Sequence, residues 1–173
     1  MGAQRRPGAW VLLTLLLAGC GVHGLAFRHD TRLSITAPQP RAPVTLPVTV
    51  TWEVDGFRVI GLDGAQLPDA GVFGVFVDGS PQPPGQPLAW FARDDETCRA
   101  AEGCPDAQYL AGRGVYTTTA TRFKIAALPP RPVGSRRAEI HDVTISFLDG
   151  TGRRIGESAF SVSFEVVRKQ AQS

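Results

Sequence analysis

Cys98 and Cys104 enclose five residues, a spacing that suits a short disulfide loop once the chain is in an oxidising compartment. Closing so small a loop contributes about 2 kcal/mol in the chain-entropy description. Thiol redox chemistry calls for Cys-x-x-Cys with a depressed thiol pKa. Structural zinc calls for more ligands than two cysteines without a neighbouring histidine, so the pair is expected to be structural. Asp94, Asp95, Glu96, Glu102 and Asp106 crowd around it. Hard oxygen ligands could hold calcium, but this spacing matches no calcium loop and Arg93 and Arg99 are interleaved. The expectation is a solvated, internally paired loop with no metal.

Trp90, Phe91 and Tyr109 lie in the same stretch. They could form a platform on which a sugar ring stacks or a partner docks, or a satellite core pinned beneath a long loop. Arg136 and Arg137 precede one expected strand while Arg168 and Lys169 follow its antiparallel partner, so a hairpin would gather the four at one pole. Arg153 and Arg154 would then lie about 30 Å away, at ~3.3 Å per residue. Such a pole could attract anionic polymers or an acidic partner, or blunt the strand ends against edge pairing.

Catalysis finds little support. His141 stands beside Asp142, but neighbours on a strand point to opposite faces and cannot form a dyad. Neither a Gly-x-Ser-x-Gly nucleophile elbow nor a Gly-rich phosphate loop opening a helix occurs, so the chain is expected to be no enzyme and to need no cofactor. His23 and His29, six apart, are read as incidental.

The elements that must hold these residues begin after a leader. Arg5 and Arg6 are followed by an uncharged apolar run from Ala9 to Ala18, the pattern of a secretory signal. That run is about half of the roughly 20 residues a spanning helix needs. It closes on Leu17-Ala18-Gly19-Cys20, which resembles the lipobox of bacterial lipoproteins. The resemblance implies cleavage before Cys20, diacylglycerol on its thiol, and stable anchoring by two or three acyl chains. With Gly21 in place of a retention-type aspartate, it further implies sorting to the outer membrane if the cell has one. Removing Cys20 to lipidation leaves the even pair Cys98 and Cys104.

The expected organisation is therefore a signal peptide over 1–19, a lipidated cysteine and flexible tether over 20–31, one domain over 32–168, and a short tail over 169–173. The chain carries 18 basic and 16 acidic residues, and two of the basic ones are in the leader. A neutral mature domain has no bulk electrostatic reason to bind nucleic acid.

Periodicity identifies the fold class. From Val44 to Val54 every even position is apolar, ending in Trp52 and Val54, and strict period two means a half-buried strand. Pro47 lacks an N–H, which places it at a strand edge or where pairing starts. Val143, Ile145 and Phe147 alternate with polar residues, as do Phe160, Val162, Phe164 and Val166, with Asp149-Gly150-Thr151-Gly152 between the two runs. That arrangement reads as an antiparallel hairpin. Leu33 to Ile35, the more continuous run Val72 to Val77, and Val115 to Ile125 supply further strands, and no segment shows a helical period.

The expectation is an all-β domain with two antiparallel sheets and one long disulfide-containing loop, from Asp78 to Gly114. The Pro-bounded opening strands, inward Trp52 and closing hairpin resemble immunoglobulin-like and fibronectin type III-like modules of bacterial surface proteins. The inter-sheet cysteine pair of antibody domains is absent. The expected role is a non-enzymatic, lipid-tethered binding or assembly module for another envelope protein. The alternative is a carbohydrate-binding module using the loop aromatics on envelope glycans.

Overall fold

The structure, a computed structural model, describes residues 30–130 and 139–167. Its strands are β1 (Leu33–Ala37), β2 (Pro43–Val44), β3 (Val48–Val54), β4 (Arg58–Val59), β5 (Ala70–Val77), β6 (Val115–Thr118), β7 (Arg122–Ile125), β8 (Glu139–Leu148) and β9 (Phe160–Val166). One sheet has the order β1-β3-β7; the other runs β2-β9-β8-β5-β4, with β6 also on β5. The described residues are all-β apart from a 3-10 turn (Leu88–Ala92) and two five-residue helices, α1 (Glu96–Ala100) and α2 (Ala107–Ala111).

The two sheets share a core. Val50 and Trp52 from β3 meet Phe73 and Val75 from β5, Ile145 and Phe147 from β8, and Phe164 from β9, all buried. Trp52 and Phe73 pack edge to face with centroids 5.4 Å apart, the arrangement that ring quadrupoles favour.

Two alternating runs are divided in ways their periodicity does not reveal. Across Val44 to Val54 the even side chains do turn inward, yet the run is two strands. Val44 pairs in parallel with Val166 of β9, whereas β3 pairs antiparallel with β1 and β7 in the other sheet. The change of partner falls at Leu46 and Pro47, where the missing N–H removes a ladder bond in any case. Val115 to Ile125 is divided likewise: β6 lies antiparallel to β5 and β7 antiparallel to β3. The chain changes sheets at 119–121, where the Ala120 N–H donates to Thr118 Oγ1 (3.0 Å).

The β8–β9 pair is antiparallel, from Glu139↔Val166 to Ile145↔Phe160. Its connection is longer than the four-residue turn expected, because β9 starts only at Phe160. Asp149 organises its first part, accepting hydrogen bonds from Thr151 N (2.8 Å), Thr151 Oγ1 (2.6 Å) and Arg153 N (3.0 Å).

The segment between β5 and β6 is a folded cover. Cys98, on α1, is disulfide-bonded to Cys104. Two acids of the cluster are helix N-caps: Asp95 accepts from the Cys98 N–H (3.0 Å) and Asp106 from the Tyr109 N–H (2.7 Å), which satisfies donors that a short helix leaves orphaned. Leu110 joins Phe76 and Val115 in a second apolar cluster, with Leu88 and Phe91 packed against it. The cover is also tied to the β8–β9 connection, where Arg153 Nη1 donates to the Gly85 carbonyl and Arg154 Nη1 to the Gln82 carbonyl (each 2.9 Å).

Candidate functional site

Both ends of the cover converge where β5 finishes and β6 begins. Asp78 there has φ of +56°, a left-handed conformation that aspartate tolerates better than most residues. The turn brings its backbone N–H to the Asp142 carbonyl (2.8 Å) and its carboxylate to two donors. Oδ1 accepts from the Asp142 N–H (3.0 Å) and Oδ2 lies 2.7 Å from His141 Nδ1.

His141 is fully buried and stacks against Phe164 at 6.5 Å. Its Nε2 is also buried and has no hydrogen-bond partner among the described residues. The histidine therefore has an aspartate partner, but one 63 residues away, while Asp142 on the opposite face of β8 accepts from the Ser163 hydroxyl (2.5 Å). A ring without solvent exposure cannot exchange a proton with a substrate in this conformation, so the pair acts as a clamp between the end of β5 and the start of β8.

Beside the clamp is a cleft of about 610 Å3, lined among others by Asp78, Arg113, Tyr116, Phe123, Lys124 and Leu128. That volume is within the range of ligand pockets. Its walls come from both sheets, because β6 and β7 form edges on the same side and Tyr116 packs on Phe123 across them at 4.8 Å. The floor needs Gly114, with φ of +71°, where an added Cβ would lie 2.4 Å from the Val77 carbonyl oxygen. The Val77 N–H in turn donates to the Gly114 carbonyl (2.7 Å).

Most charges around the cleft are already engaged. Arg113 lies 3.7 Å over the Tyr109 ring and 3.5 Å from Asp95 Oδ2. The Asp78 carboxylate is held by His141 and Asp142 N. Lys124, by contrast, is exposed and makes no ion pair among the described residues.

The three aromatics singled out from the sequence are half-buried and turned to different neighbours. The Arg93 guanidinium covers Trp90 at 4.2 Å, Phe91 packs on Phe76 at 5.9 Å, and the Tyr109 hydroxyl donates to Asp95 Oδ2 (2.9 Å). The Cys98 N–H, then the Tyr109 hydroxyl, with Arg113 nearby, hold the Asp95 carboxyl below the ordinary aspartate pKa. Burial, then the Asp95 carboxylate, raises that of the Tyr109 phenol.

Cys20, His23, His29, Arg136, Arg137, Arg168 and Lys169 lie outside the described residues. The register pairing Glu139 with Val166 puts the entry to β8 and the exit from β9 at one end. Among the described residues no group of three or more His, Cys, Asp or Glu could hold a metal ion, and no helix is long and apolar enough to cross a membrane.

The signal for the Asp78–His141 pair was an Asp-Gly dipeptide directly after an apolar strand, legible as a turn but silent about which strand the aspartate would meet. No family model matches the chain, and comparison with curated proteins and with solved structures finds no match either.

Proposed function

We infer that this is a lipid-anchored envelope protein whose β-domain is a non-enzymatic binding or assembly module, engaging another envelope protein at the cleft between the base of the cover and the edges of β6 and β7. The supporting observation is that the cover is built in place, by two helix caps, a disulfide and hydrogen bonds to the β8–β9 connection. A preorganised surface loses little conformational entropy on association. The anchoring half of the reading rests on the resemblance of Leu17-Ala18-Gly19-Cys20 to a lipobox.

The immunoglobulin-like reading is supported by connectivity. The opening segment pairs first with β3 and then, after changing sheets, runs parallel to β9, while consecutive β6 and β7 fall in different sheets. Such sheet-switching edges accompany a sandwich of this type.

The test is co-purification of the tagged full chain from detergent-solubilised envelopes of its host, with Cys20→Ser as control, read by mass spectrometry. A stoichiometric envelope protein lost in the control is expected. Retention of both forms on cell-wall material without a protein partner would overturn the reading in favour of a glycan ligand. An N-terminal peptide without acyl chains would overturn the anchor.

A further inference from the structure

The cleft has one wall that is an unpaired strand edge. Among the described residues β7 pairs with β3 alone, and the Thr121 carbonyl accepts from the Trp52 N–H (3.1 Å). In an antiparallel ladder the residues facing the partner alternate, so Phe123 and Ile125 direct their peptide groups to β3 and Arg122 and Lys124 direct theirs outward. Beyond the strand, the peptide groups of Ala126 and Ala127 have no hydrogen-bond partner among the described residues. Residues 123–129 line the cleft without a break.

Charge selects what could occupy this edge. Arg122 and Lys124 are exposed, their cross-strand neighbours are Thr51 and Thr49, and neither cation makes an ion pair among the described residues. A second copy would set like charges against each other, which is how edge lysines prevent self-pairing. The same charges attract a strand carrying carboxylates, since opposite charges across neighbouring strands stabilise pairing.

We propose that the free edge of β7 takes up an extended acidic segment of a partner protein as an added strand, with alternate side chains entering the cleft beside Tyr116 and Phe123 and its carboxylates meeting Arg122 and Lys124. Strand addition draws affinity from main-chain hydrogen bonds and specificity from pockets for alternate side chains, and this cleft supplies both. The proposal rests on the binding-module reading and names the chemistry of its partner.

The test pans the full chain, in mild detergent, against a random decapeptide library. An enriched peptide is then measured by fluorescence anisotropy against wild type, Arg122→Glu and Lys124→Glu, with thermal melts to establish that these exposed substitutions leave the fold intact. Enriched peptides are expected to carry Asp or Glu. Affinity is expected to fall at least about tenfold, roughly 1.4 kcal/mol, when the peptide acids become amides, when alternate peptide nitrogens are methylated, and in Lys124→Glu. Absence of enrichment, no acidic bias, or equal affinity for the charge-reversed variants would overturn the proposal. So would a concentration-dependent dimer through β7. An envelope partner that co-purifies undiminished with Arg122→Glu/Lys124→Glu would sink this inference while leaving the binding-module reading standing.

Discussion

β3 and β5 are both interior strands of their sheets, yet their surfaces differ. β3 alternates, with Val48, Val50 and Trp52 buried and Thr49 and Glu53 exposed. β5 is buried from Ala70 to Phe76 without interruption. Both present one face to the shared core; only β5 has a second roof, the segment that carries α1, α2 and the disulfide. Gly74 shows how close the roofed face is packed, since an added Cβ would lie 2.9 Å from the Phe76 ring and 3.0 Å from Leu148. A continuous apolar run thus reports covering on both faces, and an alternating run covering on one.

The sharpest way to break this contrast is Phe76→Ala, which removes the ring on which Phe91 and Leu110 rest. Emptying a fully buried aromatic site is expected to cost about 3–5 kcal/mol, measured by chemical denaturation. A loss below about 1 kcal/mol would mean that the cover is not part of the cooperative unit. Cys104→Ser comes next, with an expected loss of about 2 kcal/mol from opening the small loop. Hydrogen exchange should place the added opening in α1 and α2 and leave β3 unaffected.

Asp78→Ala tests the open end of β5, where the clamp stands in place of the roof. It leaves Nδ1 of a buried His141 without its acceptor, for an expected loss of about 1–3 kcal/mol in the same denaturation experiment. His141→Phe in that background should recover part of the loss, because the orphaned polar atom is gone.

The cover also carries a pH dependence. Asp95 is depressed below the ordinary aspartate value, chiefly by the Cys98 N–H. Its capping contribution is therefore complete above that ordinary value and disappears as pH falls through the lower, folded value. Carboxyl NMR titration should show Asp95 titrating below the ordinary aspartate value, with the amide of Cys98 shifting in step. An Asp95 midpoint at or above the ordinary aspartate value would contradict the cap. The smallest effect belongs to the exposed face of β3, where Thr49→Ala should change stability by less than about 0.5 kcal/mol.

Much of this was legible in the residues, and the parts that were not share a cause. Strand positions followed from side-chain alternation, as in Phe160, Val162, Phe164 and Val166, because period two is a local property of the backbone. Asp95 and Asp106 stand directly before α1 and α2, but helices of five residues are too short for an apolar period to register, so an acidic cluster read as surface was partly capping. Trp90, Phe91 and Tyr109 stood out by type. Where their faces point depended on Arg93, Phe76 and Arg113, of which Phe76 belongs to β5, a different element from the ring it meets, while the two arginines follow closely the rings they cover.

By itself, the sequence determined the all-β class, the inward parity of the alternating strands β3, β8 and β9, the pairing of Cys98 with Cys104, and the expectation of a lipid anchor at Cys20, since each is written in local spacing or residue type. Only the tertiary structure decided which sheet receives β2 and β7, that β5 is roofed on its outer face, that His141 answers to Asp78, and that β6 and β7 leave a cleft between them. Those outcomes depend on contacts between residues tens of positions apart. Which pairing wins is set by the burial and hydrogen bonding of the whole chain, and no local spacing records it.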